Sequence, residues 1–216
     1  MDDLAPDTTG RRQPDPRPRA LLHTDFDGNP AEPDDVIADA LDDDGCLERA
    51  PGPIAILQDR AADPAGRLLA CRALTSWADP LGYDTVLQAA AGPDDVVWHG
   101  RSADRFFGQD DTFGRLADAV GASPDMVDER GTAELRIAAA RALLSLTDRV
   151  QFDRHMSSLL FREIVEAARD EIDATVERGI DRLVSGERVP YDLGLQLALL
   201  TVAMKTYDEP GANDAS

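Results

Sequence analysis

The sequence predicts an all-α fold made of short helices packed on one another, and three observations support this. Pro, Gly and Asp divide the chain into segments whose apolar residues recur at helical spacing. No alternating apolar and polar run typical of a β-strand occurs beyond residue 30. A helical stretch at residues 63–79 recurs at residues 132–148, which indicates an internal repeat.

The domain organisation follows from the composition along the chain. Residues 1–19 are rich in Pro, Asp and Arg with little to bury, so they are expected to form a disordered leader. Residues 20–208 are expected to form a single all-helical domain, and residues 209–216 a disordered tail. A hydrophobic fraction of 43% is ordinary for a folded domain.

Each helix is justified by its punctuation and apolar spacing. Asp63 and Asp79 each precede a proline, an arrangement typical of a capped helix start, and Asp34 is expected to cap another helix. Residues 42–53 are expected to form a polar loop. The predicted helices cover residues 34–43, 53–58, 64–79, 80–91, 94–107, 111–120, 132–148 and 193–207, with a short piece opening at Ser123–Pro124 and a long amphipathic segment at residues 150–184.

The internal repeat extends over caps, helix and turn at one constant offset. Arg67 aligns with Arg136, since 136 − 67 is 69, and the same offset aligns Arg72 with Arg141. The segments AGRLLACRALTSW and AELRIAAARALLSL share an R-x-x-A-x-x-A-L pattern. This pattern resembles HEAT-like (armadillo-type) α-helical repeats over roughly residues 53–160. The resemblance implies an α-solenoid in which stacked helical hairpins supply the core and present a groove to a protein partner.

The four repeated arginines, Arg67, Arg72, Arg136 and Arg141, permit two interpretations. They could form an anion-binding row. The favoured alternative is an arginine–aspartate ladder that holds the units in register. Its expected acidic members are Asp59, Asp63, Asp79, Asp128 and Asp148.

The acidity of the chain limits its partners. The net charge is −20, and Lys205 is the only lysine. Such a surface disfavours nucleic acid as a partner. It favours adaptation to a salt-accumulating cytosol, with an acidic docking surface as the alternative.

Cysteine usage and hydropathy indicate a cytoplasmic protein. Cys71 is expected to be a small core residue and Cys46 to lie in an acidic loop, with no disulfide framework or metal motif. No secretory signal pattern opens the chain, and its longest apolar run is too short to cross a bilayer. A membrane is therefore not expected as a partner.

The strongest catalytic candidate is HTDFDGNP, in which Asp25 and Asp27 are followed by Gly28. Asp-x-Asp-Gly resembles the nucleophile turn of haloacid-dehalogenase-type phosphatases, which implies a nucleophilic Asp25, an acid/base Asp27 and Mg²⁺. Asn29 and Pro30 depart from that pattern, and a solvated Asp/Asn turn is favoured.

The remaining candidates favour structural roles. His23, His99 and His155 are far apart in the sequence, and His155 is expected to be a partly buried structural histidine. Trp77 and Trp98 are expected to pack in the core or a groove. No catalytic, cofactor-binding or metal-binding residue is assigned, and no cofactor is expected.

The sequence favours a non-catalytic protein–protein interaction or scaffold protein that presents a helical-repeat surface to a protein partner. An immunity or inhibitor protein whose acidic surface masks a basic partner is the alternative. A metal-dependent phosphohydrolase using Asp25 and Asp27 is a less favoured alternative. The apolar seam of residues 150–184 could also serve a homodimer.

Overall fold

The computed structural model describes residues 16–41, 45–104 and 108–208, with only the backbone of Asp125. Within these residues the chain is all-helical, which confirms the predicted class, and it contains no β-strand. The helices are α1 (Pro16–Leu22), α2 (Pro33–Asp39), α3 (Gly45–Arg49), α4 (Pro51–Gln58), α5 (Pro64–Ser76), α6 (Pro80–Ala91), α7 (Thr112–Gly121), α8 (Pro124–Arg130), α9 (Ala133–Leu144), α10 (Arg162–Ala167), α11 (Arg169–Val184) and α12 (Leu193–Asp208). Two 3₁₀ segments, Pro93–Asp95 and Asp153–Leu159, join them.

The two repeated helices, α5 and α9, occupy the centre of the molecule. Helix α5 packs against α4, α6 and α7, and α9 packs against α6, α7 and α10. Their Ala- and Leu-rich surfaces are apolar on more than one side, which suits helices covered by several neighbours. One cluster of buried apolar side chains extends from Leu22 of α1 to Ala203 of α12.

The predicted Asp-Pro helix starts are confirmed. The Asp63 carboxylate accepts a hydrogen bond from the Gly66 amide at 3.1 Å, and the Asp79 carboxylate accepts one from the Leu81 amide at 2.9 Å. In both helices proline occupies the first turn, where a missing N–H costs nothing. These caps fix where α5 and α6 begin.

Helices α5 and α6 form a hairpin with a very close backbone approach. A Cβ atom placed on Gly82 would lie 2.4 Å from the Thr75 amide nitrogen, so only glycine fits. The Tyr83 ring next to it is fully buried, and its hydroxyl donates to Ser123 at 2.7 Å. The hairpin is therefore held by backbone contact as well as by side-chain packing.

The second copy of the repeat does not continue as an α-helical hairpin of the same kind. At the repeat offset of 69 residues, the counterpart of α6 is residues 149–160, most of which form the 3₁₀ segment Asp153–Leu159. That segment packs most closely on α7. The amides of Phe152 and Asp153 donate to the Gln196 side chain at 2.6 and 2.9 Å, and such tertiary hydrogen bonds override helix propensity.

The long amphipathic segment at residues 150–184 is divided. Only its later part is α-helical, as α10 and α11 with Ala168 between them. Its early apolar residues, such as Phe152 and Ile164, are buried, whereas Ile180 and Leu183 near its end are exposed. The prediction of an α-helix is therefore confirmed for most of the segment from residue 162 onward and wrong before that residue.

Three other expectations at the start of the chain are corrected. Helix α1 begins at Pro16, inside the predicted leader, because Pro18 is buried and Arg17 pairs with Asp59 at 2.7 Å. Residues 1–15 lie outside the described residues. The prediction of a loop at residues 42–53 is wrong over its described part, since α3 and the start of α4 lie there and bury Cys46. Asp34 does not cap α2, whose N-cap position is Glu32.

The expected helix at residues 94–107 is also wrong over the part that the structure describes. After the 3₁₀ segment the chain turns, with a positive φ of 72° at Gly100, while Trp98 is buried. Residues 105–107 lie outside the described residues. Helix α9 ends at Leu144, four residues before its predicted end at 148, and the Ser145 hydroxyl donates to the Ala142 carbonyl at 2.7 Å. The predicted tail at residues 209–216 is likewise outside the described residues.

Helices α11 and α12 form an antiparallel hairpin at the carboxyl end of the described chain. Arg169 pairs with Asp208 at one end, and a Cβ on Gly179 would lie 2.6 Å from the Leu197 side chain near the middle. The Asp192 carboxylate accepts from the Leu195 amide at 2.9 Å, which confirms Asp192 as the predicted cap of α12. None of the described helices has the length and apolar character needed to cross a membrane.

We expect Gly82→Ala to destabilise the fold by about 1–3 kcal/mol, because the added methyl group must push α5 and α6 apart. The matched control is Gly194→Ala, also in a helix, where the nearest atom to the added Cβ lies 3.5 Å away. The control should be neutral or stabilised by up to about 1 kcal/mol. Urea denaturation followed by circular dichroism measures both, and equal stabilities of the two variants would contradict the close approach.

Candidate functional site

Asp25 serves the turn in which it lies. Its carboxylate accepts hydrogen bonds from the Asn29 amide at 2.7 Å and from the Asn29 side chain at 3.2 Å. The backbone hydrogen bond from Asn29 is the main reason that the pKa of Asp25 lies below its ordinary value. Gly28 takes a φ of 87°, which suits a tight turn, and Asp27 is exposed. The geometry matches the solvated Asp/Asn turn.

The four repeated arginines form no common row. Arg72 pairs with Asp34, Arg136 with Glu163, and Arg141 with Glu171. Arg67 instead donates to the Leu57 carbonyl at 3.3 Å.

The predicted ladder is wrong, because within the described residues none of the expected aspartates pairs with a repeated arginine. Three of the four arginines do pair with acidic residues, but with other ones. Asp59 pairs with Arg17, and Asp148 pairs with Arg178 at 2.8 Å. Asp63 caps α5. The period of the sequence therefore located the arginines but not the acids that reach them from other helices.

The histidines lie at separate places. His23 is exposed beside a hollow of about 500 Å³ next to α1 and α5. His155 is buried, as expected, and lies against Gly114 of α7. His99 is half-buried, with its ring edge-on to Phe113 at 5.6 Å.

His155 belongs to a polar cluster between α7 and the second 3₁₀ segment. Its Nδ1 lies 2.6 Å from one oxygen of Asp118, and the Ser158 hydroxyl donates to the other at 2.8 Å. On the opposite side of the ring, Nε2 lies 3.8 Å from Asp111. A serine nucleophile needs its hydroxyl on the imidazole, and here the hydroxyl is on the carboxylate. The cluster has the geometry of a structural clamp.

The Asp118 carboxyl shows the effect of this clamp on ionisation. Burial is the largest single influence and raises its pKa, but the hydrogen bonds from His155 and Ser158 outweigh it. The pKa of Asp118 therefore lies below its ordinary value. The charged form is stabilised by folding, so Asp118 contributes stability near neutral pH and loses that contribution in acid.

His99 lies at a polar cleft formed by the loops before α7 and before α12. Its Nε2 is 2.8 Å from Asp110, and the cleft also receives Arg149 and Tyr191. The space is about 210 Å³. The Gln109 side chain donates to the Pro190 carbonyl at 2.6 Å, which ties the two loops together. This cleft has acid–base groups but no serine, threonine or cysteine among its lining residues, and the Tyr191 hydroxyl donates to the Asp148 carbonyl.

The cysteines are both buried free thiols in the described part of the chain. Cys71 is a core residue, as predicted, and burial raises the pKa of its thiol to about 12. Cys46 lies inside α3 instead of a loop, 3.7 Å from an Arg130 nitrogen. Among the described residues no group of three or more His, Cys, Asp or Glu side chains is arranged to hold a metal ion.

The α11–α12 hairpin presents a solvent-facing surface that carries exposed apolar side chains. We name it the α11–α12 face and define it by five exposed side chains, Ile180, Leu183, Val184, Leu195 and Val202. Val184 is 83% exposed and Val202 is 60% exposed. The other sides of both helices are committed to the fold, through Thr175 of α11 and Gln196 and Leu200 of α12. The apolar residues therefore have no partner within the described chain.

Comparison with protein-family models, with curated proteins and with solved structures finds no match for this chain. Function must therefore be argued from the chemistry of its surfaces. The sequence pattern contained a sign of the α11–α12 face, because α12 has too many apolar residues for one buried stripe. Period alone could not show which side of the helix the fold would leave exposed.

We expect Asp118→Asn to lower stability by about 1–3 kcal/mol at neutral pH, since it weakens hydrogen bonds made by His155 and Ser158. The lowered pKa of Asp118 adds a second expectation. Stability should fall as pH drops below the ordinary pKa of an aspartate and through the lower folded-state pKa of Asp118, and the variant should lose less over that range. Thermal unfolding across pH measures this, with the exposed Asp173→Asn as control. Parallel pH profiles for wild type and D118N would contradict the assignment.

Proposed function

We propose that this chain is a non-catalytic protein–protein interaction protein that docks its partner on the α11–α12 face. The observation that carries the proposal is the exposure of five large apolar side chains on one helical hairpin. Single exposed apolar residues are ordinary on protein surfaces, whereas a larger exposed apolar area marks an interaction site.

The charge pattern supports this choice of surface. The chain carries a net charge of −20, yet residues 193–204 of α12 contain no charged residue. Exposed positions on this helix are held by Gly194, Leu195, Ala198, Thr201 and Val202. An acidic protein that needed only hydration would place carboxylates here. A neutral, apolar helix surface instead favours desolvation against another protein.

The polar candidates give less support to catalysis. The carboxylates of Asp25 and Asp118 are used to hold a turn and a clamp. Both are fixed by hydrogen bonds from their own neighbours, so neither is poised to exchange protons near neutral pH. The phosphohydrolase alternative would need Asp25 free to attack, and the turn geometry speaks against that.

We also propose that the scaffold derives from a HEAT-like helical repeat. The repeated helices α5 and α9 share their sequence pattern and both lie at the centre of the molecule. The segment after α9 contains a 3₁₀ segment that packs on α7, where the first copy has the α-helix α6. A duplicated hairpin whose second half changed its packing would leave such a pattern.

Site-specific photo-crosslinking in the native cell tests the docking surface. A photoreactive benzoyl-phenylalanine at position 202 should give a discrete crosslinked adduct, because Val202 lies in the proposed interface. The matched control is position 97, where Val97 is 59% exposed but lies on the loop before Trp98. The same adducts from both positions, or none from position 202, would refute the proposal.

A further inference from the structure

We infer that the protein covering the α11–α12 face is a second copy of this chain. The inference rests on the proposed function and names its partner. Two copies would pack face to face, one hairpin on the other, to form a two-layer bundle of four helices related by a two-fold axis. Such an interface must be self-complementary, because each residue meets a surface contributed by the same patch. The α11–α12 face meets this condition through its apolar residues and its charges.

The two helices of the face carry complementary charges. On α11, Asp173, Glu177 and Asp181 recur every four residues and form an exposed acidic stripe, and the helical spacing places Asp173 and Glu177 in line with Ile180 and Val184. On α12, Lys205 is exposed and is the only charged residue between Asp192 and Asp208. No ion pair holds Lys205 or the stripe within the described part of the chain. The α11 side of the face therefore carries acids among its apolar residues, and the α12 side is neutral with one cation.

Two face-to-face arrangements are compatible with a two-fold axis, and the charges choose between them. An axis across the helices would stack α11 on α11 and bring the two acidic stripes together. An axis along the helices places α11 of one copy over α12 of the other, where the stripe meets a helix without acids. Like charges in contact are unfavourable, so the second arrangement is selected.

The selected arrangement also pairs specific residues. Within one hairpin, Arg169 meets Asp208, so Lys205 lies level with the amino-terminal part of α11 near Asp173. Rotation about an axis parallel to the helices leaves each residue at the same height along the helices. Lys205 of the second copy then comes within reach of Asp173, and the pair forms twice by symmetry.

The terminal segments of the chain itself are poor candidates to cover the face. Residues 1–15 and 209–216 contain only Met1 and Leu4 as large apolar side chains. Burial of five large apolar side chains needs a partner with a comparable apolar surface. A second α11–α12 face supplies one of equal size.

The size of the face sets the strength of the dimer. Each helix has 16 residues and is about 24 Å long, and each is roughly 10 Å wide. The footprint of two helices is then roughly 480 Å², below the ~800 Å² per partner of a standard interface. Repulsion between two copies of charge −20 weakens it further. We expect a dissociation constant on the order of 10 µM.

Salt gives the dimer a distinctive signature. Screening reduces the repulsion between the acidic copies and leaves the apolar contact in place. The dimer should therefore tighten about tenfold between about 0.1 M and about 1 M NaCl, as the Debye length falls from about 10 Å to about 3 Å. A heterologous basic partner would behave in the opposite way, since salt weakens attraction between unlike charges.

Sedimentation equilibrium of the full-length chain tests the inference at the two salt concentrations, over about 5–200 µM protein. Wild type should show a monomer–dimer equilibrium that shifts to dimer in high salt. Val202→Glu should weaken it at least about tenfold by placing a charge in the interface, while the matched Val97→Glu should leave it unchanged. Lys205→Glu should weaken it up to about fivefold in low salt and not in high salt.

Monomers at every concentration and salt, or equal dimerisation by the Val202→Glu and Val97→Glu variants, would overturn the inference. Its failure can be told apart from failure of the proposed function through the crosslinked adduct at position 202. An adduct of twice the 23.3 kDa chain mass supports self-association. An adduct of another mass keeps the docking surface but overturns the dimer.

Discussion

The attachment of the C-terminal hairpin depends on the side chain of Gln196. This residue is 1% exposed, and its carboxamide makes four hydrogen bonds to the backbone of residues 147–153. Its oxygen accepts from two amides, and its nitrogen donates to the carbonyls of Thr147 and Val150. A buried amide that bonds all these backbone groups is favourable, whereas an apolar replacement would leave them without hydrogen-bond partners. The same group thus shapes the chain after α9 and positions α12.

Once Gln196 is in place, the orientation of the hairpin follows. Arg178 and Arg182 of α11 reach the turn after α9, where they bind the Asp148 carboxylate and its carbonyl respectively. Tyr191 donates to the same carbonyl at 3.0 Å. With these groups on the inner side, the outer side of the hairpin must carry Val184 and Val202. The exposed face is a geometric result of how the inner side is bonded.

Local signals predicted much of the fold and little of its polar chemistry. The Asp-Pro starts at Asp63 and Asp79, and the cap at Asp192, are decided within a few residues, so the sequence shows them directly. The 3₁₀ segment Asp153–Leu159 depends on Gln196 and Asp118, which lie far away in the chain. The partners of Arg72 and Arg136 are likewise supplied by other helices. The sequence pattern locates such side chains but holds no information on what they contact, nor on which side of α12 stays exposed.

The two buried thiols lie in different parts of the fold, Cys46 in the short helix α3 and Cys71 in the central helix α5. Cys46 is buried in the five-residue α3, and we expect so short a helix to open locally more often than the centre of the core. Cys71 lies in the central α5–α6 hairpin and becomes accessible only when the core separates. The rate at which each thiol reacts with an alkylating reagent therefore reports a different opening event. The two cysteines therefore allow local opening to be distinguished from global unfolding without an added probe.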